Sequence, residues 1–570
     1  MSRSIIRQLA LVLFVFLFYA TNAQDNQSHG DQSVNTGSEK IISNLFGDHM
    51  VLQRNVKIPV WGTGRTGDKV SVKFAGQTKT SVVDSKGKWR VDLNPLPASE
   101  EPREMIITVG KAIKKFSDVL VGDVWLASGQ SNMAYPVSSL PDAESVLSKA
   151  EDSKLRFFSV SRTTAAEPQV DLKGKWELSS GETAKGFSAV AYFFSREIRQ
   201  EQKCPVAIIH ASWGGTSIET WISLAGLKKD PPITKMLDLW NKAVAQHQKV
   251  LANPEFISDY ENNLKQWQKE VAPAYTIALK NYNQAIAAGK PAGEKPKPSM
   301  AEPVNPDPMA VPSPSRRPST PTVDFNGMIA PLIPYAIRGV IWYQGENNGN
   351  EGMEYRTLLP RLIDDWRNLW KQPAEKGLFP FLFVQLPCNG ADDIPVAQKG
   401  WPFLREAQFM TLSVPKTGMA ITIDVGDPKN VHPADKVDVG KRLALVARKV
   451  AYHENIVYTG PLYKDYKIEK DGKIRVRFRE TGSGLAIGQS PWYAPGVMPF
   501  PKDRLVGFFI AGKDKKWMEA DAQIDGNTVV VSSKNVPDPI AVRYGWANSP
   551  HCNLYNKEGL PASPFRTDVE

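Results

Sequence analysis

The chain has 570 residues, a formal net charge of +10, 42% hydrophobic residues and 23% charged residues, which is the composition of an ordinary globular protein of several domains. Its basic residues are spread along the chain instead of being concentrated on one element with aromatic side chains between them. We therefore expect a solvated basic surface and no nucleic-acid partner.

The N-terminus has the pattern of a cleavable secretory signal. Arg3 and Arg7 precede an apolar stretch at residues 9–19, which is too short to span a bilayer. We expect a signal peptide at residues 1–23 and a flexible lead-in at residues 24–39. Export to the periplasm or the medium follows, with no membrane anchor after cleavage.

Residues 40–115 have the pattern of a small all-β domain. Short runs rich in valine and isoleucine alternate with glycine-containing turns, which is typical of a sandwich. The predicted strands cover residues 56–61, 69–74, 88–93 and 104–109.

Residues 116–226 and 322–452 have the α/β pattern, in which short apolar strands alternate with amphipathic helices. Ligands of such folds bind beyond the carboxyl ends of the strands. The predicted strands cover residues 121–127, 206–211, 339–343, 381–386 and 419–423, and the predicted helices cover residues 191–202, 355–370 and 437–451.

Two further regions complete the chain. Residues 227–321 form a predicted insertion, helical and polar at first and rich in proline from residue 290. Pro254 and Pro273 are expected to break its helical part into a hairpin. Residues 453–570 return to short β runs, at 474–478, 505–510, 528–532 and 540–544, and predict a C-terminal β-rich domain.

The most informative motif is Gly-Gln-Ser-Asn-Met at residues 129–133, directly after a predicted strand. A tight turn from strand to helix exposes a serine hydroxyl, and the N-terminus of the following helix offers N–H groups to a developing oxyanion. Ser131 is therefore a candidate nucleophile. The alternative is an ordinary Ser-Asn helix cap.

A nucleophilic serine needs a base, and the chain has only seven histidines. His432 lies in a loop after the strand at 419–423, together with Asp424 and Asp427, which suits a base and its orienting carboxylate. The alternative for His432 is a surface loop histidine. For His210, at the end of an earlier strand, we favour a structural or substrate-contacting role over that of base.

Two turns at strand ends are candidates for the oxyanion site. Gly214 and Gly215 allow a ligand to approach the backbone closely. Gln344 and Asn347 carry amides that donate hydrogen bonds without bringing a charge, and Glu346 between them suits aligning the amides or binding a sugar hydroxyl. The alternative for both segments is a plain turn.

Nine motifs together carry a family resemblance. They are residues 50–54 (MVLQR), 129–133 (GQSNM), 213–216 (WGGT), 326–332 (NGMIAPL), 342–346 (WYQGE), 405–408 (REAQ), 432–433 (HP), 542–546 (VRYGW) and 553–556 (NLYN). Through them, nearly the whole mature chain resembles the sialate O-acetylesterase family of SGNH-type (GDSL-like) carbohydrate esterases. The resemblance implies an SGNH-hydrolase-like core, a three-layer parallel sheet flanked by the two β-rich domains.

The resemblance also implies roles for the site residues. Ser131 would be the nucleophile and His432 the base, with Gly215 and the Gln344/Asn347 turn as oxyanion partners of the Ser131 N–H. No metal or other cofactor is implied. The side chains expected to bind the substrate are those of Gln130, Trp213, Glu346 and Arg405.

This chain departs from the superfamily at two positions. An aspartate usually stands three residues before the base, where this chain has Lys429. Asp427, Asp424 or a backbone carbonyl must then orient His432. The third superfamily block usually ends in Asn-Asp, whereas residues 347–348 here are both asparagine.

The predicted function is a metal-independent serine esterase that removes O-acetyl groups from carbohydrates. The family name implies 9-O-acetylated sialic acid as the substrate, and acetylated xylan, xyloglucan or pectin is the alternative. A non-catalytic carbohydrate-binding protein is the rival from another class, and a lipase or thioesterase is the rival among enzymes. The cysteines Cys204, Cys388 and Cys552 are expected to be buried free thiols, with one long-range disulfide as the alternative.

Overall fold

The computed structural model describes residues 41–229, 234–287, 293–294, 296–309, 320–372, 378–390, 400–488 and 501–568. The predicted signal peptide and lead-in, and parts of the proline-rich segment of the insertion, lie outside these residues. The described strands, in chain order, are β1 (Val51–Gln53), β2 (Ile58–Thr63), β3 (Lys69–Phe74), β4 (Gln77–Val82), β5 (Lys88–Leu93), β6 (Ser99–Val109), β7 (Ala112–Gly129), β8 (Asp152–Ser159), β9 (Trp176–Ser179), β10 (Val206–Ser212), β11 (Gly339–Tyr343), β12 (Phe381–Val384), β13 (Thr417–Ala420), β14 (Leu462–Glu469), β15 (Lys473–Arg479), β16 (Leu485–Ile487), β17 (Phe508–Ala511), β18 (Trp517–Glu519), β19 (Asp521–Asp525), β20 (Thr528–Ser532), β21 (Ala541–Tyr544), β22 (Leu554–Asn556) and β23 (Phe565–Arg566).

The α-helices are fewer and several are short. In chain order they are α1 (Ser131–Ala134), α2 (Ala143–Leu147), α3 (Gly181–Lys185), α4 (Ala189–Gln202), α5 (Leu224–Leu227), α6 (Thr234–Ala252), α7 (Glu255–Glu270), α8 (Ala272–Ala287), α9 (Gly352–Trp370), α10 (Trp401–Met410) and α11 (Lys436–Val450). Single helical turns also occur at Val137–Ser139, Ile218–Trp221, Phe325–Ile329, Ala330–Leu332, Glu346–Asn348 and Thr411–Ser413.

The core is a large mixed sheet with the strand order β13-β12-β11-β7-β10-β8-β9. All neighbours are parallel except β9, which pairs antiparallel with β8 at the edge. The five predicted core strands are confirmed as β7, β10, β11, β12 and β13. Strands β8 and β9 were not predicted. In β8, the charged residues Asp152, Lys154 and Arg156 interrupt the apolar run that marks a buried strand.

Strand β7 joins the N-terminal β region to this core. Its first half pairs antiparallel with β6, and its second half is the central parallel strand. The predicted boundary between residues 115 and 116 therefore falls inside one continuous strand. The four strands predicted in this region correspond to β2, β3, β5 and β6. The C-terminal region is β-rich as predicted, with sheets ordered β14-β15-β20-β19 and β18-β17-β21-β23.

Helices α4 and α11 pack against each other and contact the core strands. Gly440 permits their close approach, since a Cβ there would lie 2.7 Å from the Cβ of Phe193. Side chains cap both helices at the start. The Ser188 hydroxyl accepts from the Ala191 N–H at the start of α4, and Asp435 accepts from the Asp438 N–H at the start of α11.

The insertion contains three helices, α6, α7 and α8, where the sequence predicted a hairpin. Both predicted breaks are confirmed. Pro254 is the N-cap of α7, and Pro273 lies in the first turn of α8, where a missing N–H costs no helical hydrogen bond.

Two further predictions concern the chain as a whole. Cys204, Cys388 and Cys552 carry free thiols, and Cys388 is only partly buried. Within the described ranges, no helix is long and apolar enough to cross a membrane.

Candidate active site

Three predicted motifs meet at the carboxyl edge of the core sheet. Strand β7 ends at Gly129, and its neighbours β10 and β11 end at Ser212 and Tyr343, both in register with that glycine. The segments that follow these strands therefore emerge side by side, as expected for parallel strands.

Ser131 stands at a sharp turn between β7 and α1. Gly129 has φ +132°, and a Cβ there would lie 2.1 Å from the Tyr343 carbonyl oxygen, so only glycine fits. The Gln130 N–H donates to the same carbonyl at 3.0 Å. The turn leaves Ser131 half-buried as the first residue of α1, with its hydroxyl beside a helix N-terminus.

The Trp213–Gly215 segment lies directly against this serine. The Trp213 N–H donates to the Gly129 carbonyl at 3.0 Å. A Cβ on Gly214 would lie 3.2 Å from the Cβ of Ser131, and Gly215 has φ +73°. Gly214 thus touches the candidate nucleophile, and Gly215, the candidate oxyanion donor, is the next residue in the chain. Trp213 is half-buried at the same place.

This contact makes a prediction for Gly214. Gly214→Ala should lower kcat/KM by about tenfold or more, because the added methyl displaces Ser131. Gly186→Ala is the matched control, since a Cβ at that position meets nothing within 4 Å. Steady-state acetate release by the two variants checks this. Equal rates would contradict the close contact between Gly214 and Ser131.

Gln130 fixes the third turn to the serine segment. Its side-chain Oε1 accepts from the N–H groups of Gly345 at 3.5 Å and Asn347 at 3.3 Å. The side chain is buried, which makes it a support for the turn. Asn347 is exposed beyond it and donates from Nδ2 to the Ser217 hydroxyl at 2.5 Å. The amide of Asn347 has a second hydrogen that it can donate.

Gln344 takes a different place from the one predicted. It is fully buried, and its Nε2 donates to the Thr216 carbonyl at 3.1 Å and to Asn348 Oδ1 at 2.7 Å. Because both amide hydrogens are used, Gln344 supports the turn instead of donating to an oxyanion. Asn348 is also buried, and its Nδ2 donates to Glu219 and Glu351. Asn347 is therefore the oxyanion candidate of this block.

The loop that carries His432 is held by its own polar side chains. Asp427 Oδ1 accepts from the Lys429 N–H at 2.8 Å, and Asn430 Oδ1 accepts from the His432 N–H at 2.9 Å. Asn389 reaches across from another segment and donates to the Asp427 carbonyl at 3.2 Å. His432 itself is half-buried.

The two predicted carboxylates differ in their surroundings. Asp424 forms a two-pronged ion pair with Arg442 of α11, at 2.5 and 2.8 Å, and also accepts from the Tyr555 hydroxyl at 3.2 Å. Asp424 therefore links its loop to α11 and to the C-terminal region. Asp427 lies in the loop of His432, five residues before it, and its carboxylate accepts from the Lys429 N–H.

Asn132 connects the serine segment to the histidine loop. Its Nδ2 donates to the carbonyl of Val431, the residue before His432, at 2.9 Å, and to Glu346 Oε1 at 2.5 Å. Its Oδ1 accepts from Lys436 Nζ at 2.6 Å. The residue after the candidate nucleophile is thus bonded to the residue before the candidate base. The sequence pattern had predicted no role for Asn132 or Lys436.

Burial shifts the pKa values of the charged groups at this junction between the serine segment and the histidine loop. It lowers the pKa of the Lys436 ammonium to about 7 and raises the pKa of the Glu346 carboxyl. Burial also raises the pKa of Asp435 to about 6. Perturbed groups of this kind cluster at functional sites.

His210 forms a separate pair on β10. Its Nε2 lies 2.6 Å from the Ser212 hydroxyl, and burial lowers the pKa of its imidazole to about 3. The ring also packs edge-on against Phe187 at 5.4 Å. An imidazole so resistant to protonation suits the structural or substrate-contacting role that we favoured over that of base.

Arg405 corrects one prediction. It is fully buried, and its guanidinium donates to four carbonyl oxygens at 2.7–2.9 Å. Those carbonyls belong to Leu386, Pro387, Ala547 and Asn548. Arg405 therefore joins the C-terminal region to the core, and it has no exposed surface with which to touch a substrate.

In the part of the chain that the structure describes, no group of three or more His, Cys, Asp or Glu side chains is arranged to hold a metal ion. The chemistry available at the described site is that of the serine, the histidine, the backbone N–H groups and the amides. This arrangement can support attack by a serine hydroxyl on an ester carbonyl.

Comparison with known proteins places the chain among carbohydrate esterases. Residues 121–272 match the family model described as carbohydrate esterase, sialic acid-specific acetylesterase. The chain is 31% identical to sialate O-acetylesterase of Rattus norvegicus, covering 93% of this chain and 94% of the relative, and 28% identical to that of Homo sapiens, covering 92% of each. The crystal structure of a carbohydrate acetylesterase from Xanthomonas citri is 33% identical with a TM-score of 0.72, covering 93% of this chain and 100% of that one.

Proposed function

Because this chain belongs to the sialate O-acetylesterase family of carbohydrate esterases, we propose that it removes O-acetyl groups from sugars with Ser131 as nucleophile and His432 as base. It is a carboxylic ester hydrolase of O-acetylated carbohydrates. The observation that best supports this site is the hydrogen bond from Asn132, the residue after Ser131, to the Val431 carbonyl in the loop of His432.

The reaction follows from the groups at the sheet edge. His432 takes the Oγ proton as Ser131 attacks the acetyl carbonyl carbon. The oxyanion is held by the N–H groups of Ser131 and Gly215 and by the Asn347 amide. His432 then returns the proton to the leaving sugar oxygen. Water then attacks the acetyl-enzyme with His432 as base. The bond between Ser131 Oγ and the acyl carbon breaks, His432 returns the proton to Oγ, and acetate leaves.

Asp427 is the carboxylate that we propose to orient His432. It lies in the same loop, whereas both oxygens of Asp424 are bound by Arg442. In this role Asp427 would select the tautomer of the imidazole and stabilise its protonated form.

The oxyanion assignment makes a prediction for two neighbouring asparagines. Asn347→Ala should lower kcat by about 10²–10³-fold with little change in stability, because it removes one donor to the developing charge. Asn348→Ala should chiefly lower the melting temperature, because it leaves the buried Glu219 carboxyl without its amide donor. Acetate release and thermal unfolding of both variants separate these effects. If Asn348→Ala instead lost kcat and Asn347→Ala lost only stability, Asn348 would be the oxyanion donor.

We also propose the finer architecture and location. The core sheet and its helices would have the three-layer SGNH arrangement, and the chain would be exported after removal of residues 1–23. N-terminal sequencing of the native protein tests the second point. A mature chain that starts at Gln24 supports export, whereas a retained Met1 excludes this cleavage.

The natural substrate that we propose is 9-O-acetylated sialic acid, with acetylated xylan or xyloglucan as the alternative. Acetate release should be measured on all three with the full mature protein and with Ser131→Ala. Serine-dependent release that is fastest from the sialic acid supports the proposal. Faster release from a plant polysaccharide selects the alternative, and sugar affinity without turnover on any substrate would favour a binding protein.

A further inference from the structure

We propose that Lys436 is a positioning residue for this reaction: its ammonium fixes the loop of the candidate base relative to the segment of the candidate nucleophile. The proposal rests on the proposed function and adds a residue to it. It is carried by the contacts of Lys436 with the serine segment on one side and the histidine loop on the other.

Two contacts join these segments through one nitrogen. Lys436 Nζ donates to the Asn132 Oδ1 and to the Pro433 carbonyl, both at 2.6 Å. Asn132 in turn donates to the Val431 carbonyl. The carbonyls directly before and directly after His432 are thus both held by the Asn132–Lys436 pair, and Asn132 follows Ser131 in the chain.

The chemistry of the partners leaves one orientation for the Asn132 amide. An ammonium only donates and a peptide carbonyl only accepts, so the amide oxygen must face Lys436 and the amide nitrogen must face Val431. Glu346 Oε1 accepts the second amide hydrogen at 2.5 Å. The amide oxygen therefore faces a cation and the amide nitrogen faces a carboxyl oxygen. These two contacts fix the amide against rotation.

Placing a lysine at this buried position costs free energy. Its side chain is fully buried, with Nζ 4.8 Å from the ring centre of Tyr135 and 5.7 Å from that of Tyr343. The carboxyls that face it are those of Glu346 and of its neighbour Asp435. Burying an ammonium costs free energy that a methionine of similar size would not, so a role in holding geometry explains its presence better than stability does.

The test compares Lys436→Met with Lys441→Met, a matched change at an exposed lysine of the same helix. For Lys436→Met, kcat on an O-acetyl sugar should fall about 10²-fold while KM changes little, because the reacting groups lose alignment and the substrate contacts remain. The rate at which diisopropyl fluorophosphate reacts with Ser131 should fall in parallel. Lys441→Met should match the wild type in both.

A second pair of variants keeps the test independent of the folding of Lys436→Met. Lys436→Gln retains a hydrogen-bond donor and should recover part of kcat. Asn132→Ala should lose about as much kcat as Lys436→Met, and the double variant should lose no more, because both act through one link.

A folded Lys436→Met or Asn132→Ala variant with wild-type kcat and wild-type fluorophosphate reactivity would overturn the positioning role. So would a loss confined to KM. These outcomes differ from failure of the proposed function, which Ser131→Ala with full activity would reveal whatever the behaviour of Lys436.

Discussion

Ser131→Ala is expected to abolish release of acetate from O-acetylated sugars, with kcat falling by at least about 10⁴-fold. The physical reason is that the substitution removes the only atom that forms the bond to the acetyl carbon. His432→Ala should cost nearly as much, and the double variant should lose little more, because the two residues act as a unit. The measurement is kcat of the folded single and double variants.

Two comparisons make this result specific. Ser258→Ala changes an exposed serine of the insertion helix α7 and should leave kcat at the wild-type value. Ser212→Ala tests a serine whose hydroxyl lies 2.6 Å from the ring of His210. Full activity of Ser131→Ala, together with inactivity of Ser212→Ala, would transfer the nucleophile to β10.

Arg405→Met is expected to have the largest effect on stability, lowering the free energy of unfolding by more than about 3 kcal/mol. The substitution removes the donor that four carbonyl oxygens share at the junction between the core and the C-terminal region. KM of the protein that remains folded should stay close to the wild-type value. Denaturant unfolding and steady-state kinetics on the same preparations check both statements.

The control for this prediction is Arg504→Met, which removes an exposed guanidinium from the C-terminal region. It should change the free energy of unfolding by less than about 0.5 kcal/mol. If Arg405→Met proved as stable as this control and raised KM, Arg405 would be a substrate contact after all, and its burial in the free protein would have to change on binding.

The core strands were predictable because they are buried on both faces, which leaves continuous apolar runs in the sequence. Strand β8 escaped prediction because charged side chains interrupt it. The predicted boundary between residues 115 and 116, which lies inside β7, has a similar explanation. The first half of β7 begins with four exposed residues, among them Lys114 and Lys115, and only its second half has the buried, mostly apolar pattern of the core.

The positions of Ser131 and His432 were predictable because glycines and polar residues follow buried strands there, and such strand ends meet at one edge of a parallel sheet. The supporting contacts were not. Lys436 and Asn132 are 304 residues apart in the chain, and no local pattern indicates that a lysine in the first turn of an amphipathic helix is buried. The same holds for Gln344 and Arg405, whose roles depend on which carbonyls the fold brings to them.

The most direct test of the account is to locate the serine that reacts with diisopropyl fluorophosphate and to follow acetate release from an O-acetyl sugar in the same sample. We predict one equivalent of label on Ser131, with activity lost in proportion to labelling and no label on Ser131→Ala. Inactivation with the label on another serine, or full activity in protein whose Ser131 is completely labelled, would contradict the account.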